Sequence, residues 1–223
     1  SDDMQLISGD LVERAQREYK RRFGDQIAKA LADGLPAVAK LKLDGNDLAP
    51  RILSVDPAWL GNDQSVIGLR QGQVFFALRK YRRLDGPELA YRVAECILAL
   101  KPDVVFVDAI GHGASCYDTL NAMGYGPVRM NSGMDAMDKR TFFNRRAEMW
   151  WAIREWLKGG GMVPPSEEDK EIFADLTGPM SGYADRGSRV RLETKDEMRS
   201  RKQPSPDTGD CLAGTFYMPV APS

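Results

Sequence analysis

The sequence predicts a mixed α/β fold in which three antiparallel strands lead into parallel strands, with helices on the faces of the sheet. Two observations predict it. Short apolar runs bounded by turn residues follow one another at 52–55, 65–69 and 74–78, the pattern of consecutive strands joined by hairpin-like turns. Beyond them, segments with helical spacing of apolar residues alternate with further short apolar runs, which is typical of helices that flank a sheet with parallel strands.

The later part of the chain alternates helix and strand. Residues 86–100 have the apolar spacing of an amphipathic helix that ends before Pro102. The run 104–107 is apolar without alternation, as in a strand buried on both faces. The other predicted elements are helices at 114–123, 141–157, 167–176 and 207–217 and strands at 127–130 and 189–193. This order is that of the RNase H-like fold, although several other α/β folds also open with a hairpin.

The N-terminal segment has a different pattern. Residues 10–23 have helical apolar spacing on a charged background, and Asp25 begins a second short helix that Gly34 ends. Because the chain opens on a serine, we expect it to be a piece of a longer protein. We therefore predict a linker or helical connector at 1–47 and the main domain at 48–223.

Composition indicates a soluble, intracellular protein with a substantial core. The chain has 223 residues, of which 43% are hydrophobic, enough for one large domain or two small ones. No apolar run is long enough to cross a bilayer, and no secretory signal opens the chain. Cys96, Cys116 and Cys211 are odd in number and far apart, so we predict buried thiols and neither disulfides nor a zinc site.

Acidic residues at the ends of predicted elements are the candidates for chemistry. Asp56 ends the first strand, just before Pro57, and Asp108 ends the buried strand. Ligand sites in open α/β sheets lie outside the carboxyl ends of strands, which favours a functional role for Asp108, whereas Asp56 is equally well explained as a turn residue. Asp207 and Asp210 open the last helix, where N-capping is the alternative role of Asp207.

Carboxylates that converge from separate segments repel one another unless a cation compensates them. The chain has a single histidine, His112, so oxygen ligands would predominate, and such ligands suit Mg²⁺ or Mn²⁺ rather than zinc. Two such ions can activate a water and stabilise the leaving oxygen of a phosphodiester. No P-loop occurs, and neither Ser115 nor Cys116 lies in a GxSxG turn. The residues therefore predict phosphodiester hydrolysis with two divalent metal ions.

Basic residues cluster locally although the formal net charge of -1 gives no general attraction to nucleic acid. A solvated surface is the alternative explanation of each cluster. If the acidic residues gather around metal, a basic rim can still contact DNA phosphates without reading bases. The clusters are Arg79, Lys80, Arg82 and Arg83; Lys139, Arg140, Arg145 and Arg146; and Arg199, Arg201 and Lys202.

Four segments, in this order along the chain, resemble the C-terminal nuclease domain of tailed-phage terminase large subunits. They are VDPAWLGNDQS, VVFVDAIGHGASCYDTL, FNRRAEMWWAIREWL and LETKDEMRSRKQPSPDTGDCLAGTF. The resemblance extends from about Arg51 to Tyr217 and implies an RNase H-like fold. The chain departs from the family pattern at Gly209 and Cys211, where alanine is more usual, and neither departure removes a predicted ligand.

Position by position, the resemblance implies that Asp56, Asp108 and Asp210 are catalytic carboxylates that bind metal, with Asp207 as the alternative third ligand. One ion would lie between Asp56 and Asp108 and activate water. The second, held by Asp56 and Asp210, would stabilise the departing 3′ oxygen. Asp63 matches a recurrent acid of the family and is interpreted as a turn residue or as support for the ligands.

Other residues are predicted to support this site or to contact DNA. Lys195 matches a family lysine and is expected to hold a phosphate or to neutralise a carboxylate. Arg145 and His112 are further candidates for either role. Glu148 matches a family glutamate but is equally explained as a partner in a charged helix. The tryptophans of the same helix are predicted to belong to the core; they are Trp150, Trp151 and Trp156.

The resemblance implies a metal-dependent endonuclease that cuts concatemeric viral double-stranded DNA during genome packaging. It also implies an ATPase motor earlier in the same polypeptide, the small terminase subunit and the portal protein as partners, and a place in the host cytoplasm without a membrane. An RNase H-like junction resolvase and a non-catalytic module that docks DNA or the portal are the alternatives. The segment 181–188 is interpreted as a mobile hairpin that controls access of DNA.

Overall fold

The computed structural model describes residues 4–58 and 61–222. The strands and helices of these residues are, in chain order, β1 (Met4–Gln5), α1 (Gly9–Tyr19), α2 (Asp25–Asp33), α3 (Leu35–Ala39), β2 (Arg51–Asp56), β3 (Ser65–Gln71), β4 (Val74–Tyr81), α4 (Gly86–Leu100), β5 (Val104–Asp108), α5 (Gly113–Ala122), β6 (Val128–Met130), α6 (Arg145–Lys158), α7 (Ile172–Thr177), β7 (Met180–Ala184), β8 (Arg189–Leu192), α8 (Lys195–Ser200) and α9 (Asp207–Gly214). A π-helical turn, Lys20–Gly24, joins α1 to α2.

Five strands form the central sheet in the order β4-β3-β2-β5-β6. β3 pairs antiparallel with both β2 and β4, whereas β5 pairs parallel with both β2 and β6. The predicted fold class, in which antiparallel strands lead into parallel strands between helices, is confirmed.

Helices cover both faces of the sheet, and the alternation of side chains along each strand divides the core into two clusters. Leu53 and Val55 belong to the cluster that contains residues of α2, α3, α4 and α5. Ile52 and Phe106 belong to the other, which contains residues of α6, α7 and α9. Because every second residue of a strand shares a face, Asp56 on β2 and Asp108 on β5 fall on the face that α9 covers.

The N-terminal segment is part of the same core. Phe23 and Ile27 are buried in the first cluster, and Ile7 is buried in the second. β1 pairs antiparallel with β7, which in turn pairs with β8, so the segment also completes a separate three-stranded sheet. The N-terminal helices therefore pack in the same two clusters as the sheet. The division into a connector at 1–47 and a main domain at 48–223 stays a prediction. The connection of this segment to an ATPase motor stays a prediction.

Two helices begin later than the sequence predicts. The helix predicted at 141–157 is α6, which starts only after Asn144, because the Asn144 side chain accepts a hydrogen bond from Ala147 N at 2.9 Å and caps the first turn. The helix predicted at 167–176 is reduced to α7. Asp169 Oδ1 accepts hydrogen bonds from two backbone N–H groups just before and within it, at 3.2 Å each.

The C-terminal part differs from the sequence-based prediction in one unpredicted helix, in the sheet to which β8 belongs and in the end of the last helix. The segment 181–188 forms most of a β-hairpin, since β7 and β8 pair antiparallel. The strand predicted at 189–193 is β8, but it pairs with β7 outside the central sheet. α8 was not predicted, although Thr194 and Glu197 form a capping box at its start, a signal that the sequence carries. The closing helix ends at Gly214 rather than at 217.

The remaining composition-based expectations concern cysteines and membranes. Cys96, Cys116 and Cys211 are buried free thiols, as predicted. Among the helices of residues 4–58 and 61–222, none is long and apolar enough to cross a membrane.

A partly buried glutamate next to α1 should make the stability of the fold depend on pH. Tyr19 Oη donates a hydrogen bond to Glu168 Oε2 at 2.6 Å. Burial nevertheless raises the pKa of Glu168 from 4.5 to about 7. Between pH 4.5 and about 7, the folded chain thus keeps a proton on Glu168 that the unfolded chain releases. This contribution to the free energy of unfolding is complete below about pH 4.5 and is lost as the pH rises through about 7.

Glu168→Gln should therefore reduce the loss of stability between about pH 5 and pH 8, because the amide does not titrate. Urea unfolding at both pH values measures it. Glu167→Gln is the matched control, since Glu167 is an exposed neighbour that pairs with Lys20 at the surface, and it should keep the native decline. An identical decline in Glu168→Gln and the native chain would contradict the assignment.

Candidate metal centre

Two carboxylates lie side by side at the carboxyl edge of the sheet. β2 and β5 run parallel with Val55 opposite Val107, so Asp56 and Asp108, the next residues on each strand, are neighbours. Asp56 is buried, with 6% of its surface exposed. Asp108 Oδ1 accepts a hydrogen bond from Ile110 N at 3.2 Å, and its Oδ2 accepts one from Ser132 Oγ at 3.3 Å. Both carboxylates therefore project from the ends of paired strands.

A third carboxylate reaches this edge from α9. The helix packs closely on β2, since a Cβ on Gly214 would lie 2.3 Å from Ser54 Oγ, and Cys211 Sγ donates to Ser54 O at 3.3 Å. Asp210, on the same helix, lies beside Lys195, whose Nζ is 3.1 Å from Asp210 Oδ2 and 4.0 Å from Asp56 Oδ2. One ammonium thus stands between carboxylates of β2 and α9.

The two oxygens of Asp210 have different surroundings. Oδ1 accepts hydrogen bonds from Trp150 Nε1 at 2.9 Å and from Arg146 Nε and Nη2 at 3.2 Å each. Oδ2 is buried, and within the described part of the chain no donor makes a well-aligned hydrogen bond to it. It forms an ion pair with Lys195 Nζ at 3.1 Å. This oxygen therefore has capacity left for a cation.

Three further predicted residues line the same cleft. Asp207, Asp63 and His112 border it together with Asp56, Asp108 and Lys195. Asp207 Oδ2 accepts a hydrogen bond from Gln64 N at 2.7 Å, and Asp63 pairs with Arg199 at 3.3 Å. Asp207 thus holds the turn before β3 with one oxygen, whereas Asp210 faces Lys195.

The five carboxylates around the cleft (Asp56, Asp63, Asp108, Asp207 and Asp210) outnumber the three cations that pair with them, which are Lys195, Arg146 and Arg199. Burial raises the pKa of Asp56 well above its usual range, and the carboxylates of Asp210, Asp207 and Asp108 add to the effect against Lys195. Burial also raises the pKa of Asp108. Burial disfavours the charged ammonium of Lys195, but the carboxylates around it outweigh burial and raise its pKa. A further cation in the cleft would relieve this repulsion.

The residues of the cleft fit a hard divalent cation by donor type. They offer carboxylate oxygens, which Mg²⁺ and Mn²⁺ prefer, and one of them, Asp210 Oδ2, is buried without a hydrogen bond. In the described ranges, no three acidic, histidine or cysteine side chains are already gathered around one metal position. The ammonium of Lys195 lies between Asp56 and Asp210, so binding of a metal there requires Lys195 to move aside.

Comparison by sequence and comparison by structure give different results for this chain. No family model and no curated protein matches the chain. Solved structures do match. The nuclease domain of the large terminase subunit gp2 of bacterial virus Sf6 is 19% identical with a TM-score of 0.72, covering 97% of this chain and 100% of that chain. The large terminase nuclease from thermophilic phage G20c with bound magnesium is 13% identical with a TM-score of 0.58, covering 75% and 80%.

The chain has the fold of a phage terminase nuclease domain. A lysine-to-alanine variant of the Sf6 domain, with manganese and β-thujaplicinol, matches at 19% identity and a TM-score of 0.73, covering 97% of this chain and 100% of that chain. The RNase H-like fold that the four sequence segments imply is thus confirmed, and the likeness includes the N-terminal helices that the sequence analysis had set apart.

Within the terminase nuclease fold, Arg145 packs against the segment that follows α9. It is 8% exposed, donates from Nη1 to Tyr217 O at 2.8 Å and stacks over the Tyr217 ring at 4.8 Å. A side chain so enclosed is not placed to contact DNA. Its neighbour Arg146, which the sequence analysis treated only as part of a basic cluster, is the arginine that reaches the carboxylates.

Glu148 holds the loop between β6 and α6. Its carboxylate oxygens accept hydrogen bonds from Met137 N at 2.8 Å and Asp138 N at 2.9 Å. It also lies 3.4 Å from Arg145 Nε, a contact within one helix. The same loop supplies Ser132, which contacts Asp108. Glu148 therefore supports the site from a distance as well as pairing along its helix.

Parts of two basic clusters meet beside the cleft of the terminase nuclease fold. A groove next to it is lined by Arg82, Lys170, Arg199 and Lys202, and shares Asp63 and Asp207 with the cleft. Lys80 does not take part, because its ammonium pairs with Asp169 at 2.8 Å and Glu171 at 2.9 Å. The fold thus selects a subset of the basic residues for this groove.

Asp175 of α7 caps α9 and was missed by the sequence analysis. α9 has no side-chain cap of its own, but Asp175 Oδ2 accepts hydrogen bonds from Thr208 N at 2.8 Å and Gly209 N at 3.2 Å. Burial raises the pKa of Asp175 to about 7. The cap comes from another helix 33 residues away in sequence, so no local signal marks it.

Asp175→Ala should lower the free energy of unfolding by about 1–2 kcal/mol, because two buried N–H groups lose their acceptor. Asp175→Asn keeps one acceptor oxygen and should lose clearly less. Denaturant titration measures both. Asp118→Ala, which removes an exposed aspartate of α5, is the control and should leave stability unchanged. Equal losses in the alanine and asparagine variants would argue against the cap.

Proposed function

We propose that the chain is a metal-dependent DNA endonuclease that cuts concatemeric viral double-stranded DNA during genome packaging. The observation that carries the proposal is the ammonium of Lys195 between Asp56 and Asp210, with Asp108 next to Asp56 at the carboxyl edge of the sheet. The fold, shared with phage terminase nuclease domains, supports it. Solved structures of that fold carry manganese or magnesium, which supports the same class of metal here.

The side chains of the site have different proposed roles in hydrolysis. Two divalent ions at these carboxylates would activate a water and stabilise the leaving oxygen of the phosphodiester. Asp56 is the ligand we propose to be shared, with Asp108 and Asp210 on either side and Asp207 as the alternative to Asp210. Lys195 is proposed to move away from Asp210 and to hold a phosphate oxygen.

Binding of DNA is proposed to depend on its backbone. Arg82, Lys170, Arg199 and Lys202 line a groove that opens beside the carboxylates, and cations of this kind contact phosphates without reading bases. Cleavage should therefore show little sequence preference, and binding should weaken steeply as salt rises.

The partners and location are proposed from the fold alone. The likeness to terminase nuclease domains supports an ATPase motor in the same polypeptide, and the small terminase subunit and the portal protein as partners in the host cytoplasm. Pull-down of the motor-containing protein with the portal tests the last of these contacts.

Nicking of supercoiled plasmid tests the proposal. The native chain should nick with Mn²⁺ or Mg²⁺ and not with EDTA, and Asp108→Asn should lose the activity. Asp118→Asn, a change on the exposed surface of α5, should keep it. No cleavage by the native chain with either metal, or equal cleavage by Asp108→Asn, contradicts the proposal. Strong preference for a four-way junction over linear duplex would instead support a junction resolvase.

A further inference from the structure

We infer that Trp150 and Arg146 are positioning residues that hold one oxygen of Asp210 and thereby decide which oxygen faces the metal. The consequence for metal rests on the proposed function, whereas the contacts themselves do not. Asp210 is the candidate ligand that reaches the site from a helix, so its orientation needs a support that the sheet does not provide.

The support consists of three donors on one oxygen. Trp150 Nε1 and two nitrogens of Arg146 all donate to Asp210 Oδ1. Indole has a single N–H, and Trp150, which is 0% exposed, directs it at this carboxylate. Rotation of the carboxylate would break three hydrogen bonds, two of them from a charged donor. Asp210 therefore presents Oδ2 alone to the cleft.

Gly209 makes room for this arrangement. A Cβ at position 209 would lie 2.7 Å from Trp150 Cη2 and 3.0 Å from Cζ2, so any larger residue would push the indole away from α9. The absence of a side chain lets the ring lie against the helix backbone one residue before Asp210. The predicted role of Trp150 as a core residue is thus confirmed, and the hydrogen bond adds a second role.

Arg146 links Asp210 to the other groups of the site. Its third guanidinium nitrogen, Nη1, donates to Glu193 O at 2.7 Å, in the segment that leads into α8 and Lys195. Its backbone N–H donates to Ser132 O at 2.9 Å, and Ser132 Oγ donates to Asp108. One arginine therefore connects the supports of Asp210, Lys195 and Asp108.

Two substitutions test the inference without removing a ligand. Trp150→Phe keeps an aromatic ring but removes the N–H donor at Asp210 and reduces the volume of a buried side chain. Arg146→Lys keeps the positive charge but loses the guanidinium group, whose nitrogens donate to both Asp210 and Glu193. Trp156→Phe is the matched control, because Trp156 donates its N–H to Gly72 O at 3.0 Å, away from the carboxylates.

Calorimetric titration with Mn²⁺ is the first measurement. Loss of a residue that orients a metal ligand typically weakens metal affinity by roughly 10–100-fold, so we expect Trp150→Phe to bind Mn²⁺ at least about 10-fold more weakly and Trp156→Phe to bind like the native chain. Arg146→Lys should also bind Mn²⁺ more weakly than the native chain. Raised Mn²⁺ should restore nicking by Trp150→Phe. Native affinity in a folded Trp150→Phe chain overturns the inference.

The indole N–H resonances provide a readout that needs no metal. In spectra of the ¹⁵N-labelled chain, Asp210→Asn should shift the Trp150 indole signal and leave that of Trp156 in place; an unmoved Trp150 signal overturns the inference. If the native chain binds no Mn²⁺ at all, the proposed function fails, and the Trp150 signal still decides whether the contact exists.

Discussion

Asp56→Asn is expected to abolish metal-dependent cleavage and, at the same time, to stabilise the metal-free chain. Asp56 is buried, and burial together with neighbouring carboxylates raises its pKa. Folding without metal therefore disfavours the charged carboxylate form of Asp56, which is the form that the proposed chemistry needs. Asparagine keeps the shape and removes the charge, while Lys195 retains Asp210 at 3.1 Å as its partner.

The expected effects have opposite signs. Nicking should fall by at least about 100-fold, since a ligand matters at least as much as the residues that orient it. The unfolding midpoint should rise by about 2–4 °C at neutral pH, which corresponds to about 1 kcal/mol in a chain of this size. The gain should diminish as the pH falls through the ordinary value of 3.8 and vanish below about pH 3, where Asp56 is protonated in both states. Retained cleavage, or a lower midpoint at neutral pH, would show that the carboxylate is a structural residue.

Lys195→Met should have the reverse effect on stability. The ammonium lies between Asp210 Oδ2 and Asp56 Oδ2, and its removal leaves buried carboxylates that repel one another. Breaking a fully buried pair costs about 3–5 kcal/mol, but 36% of the Lys195 side chain is exposed, so solvent screens the loss. We expect a decrease of about 1–2 kcal/mol without metal.

Divalent cations should compensate for the missing ammonium. A ligand that binds only the folded state stabilises it. Mn²⁺ should raise the unfolding midpoint of Lys195→Met by more than it raises that of the native chain, because the variant has no ammonium between Asp56 and Asp210 that must first move aside. Thermal unfolding with and without Mn²⁺ measures this difference. Lys139→Met is the control, as Lys139 forms an exposed ion pair with Asp135, and it should change neither midpoint. An Mn²⁺ response equal to the native one would contradict a cation site at Lys195.

The sequence by itself determined the central strands, the fold class and the positions of two acids. Short apolar runs predict strands through local periodicity, and Asp56 and Asp108 end two of them, so the sheet brings both to one edge. The four segments that resemble terminase nucleases also predicted the fold that the solved structures share. These features depend on neighbours in sequence or on the regular pairing of strands.

The tertiary structure decided how the third carboxylate is held and what surrounds it. Trp150 and Arg146 reach Asp210 from 60 and 64 residues away, and Asp175 caps α9 from 33 residues away. The sequence named Arg145 as a candidate to support the site or contact DNA, whereas in the structure Arg145 is buried against Tyr217 and Arg146 donates to Asp210. Such contacts depend on how closely and at what angle one helix crosses another, and packing of side chains from distant segments sets both.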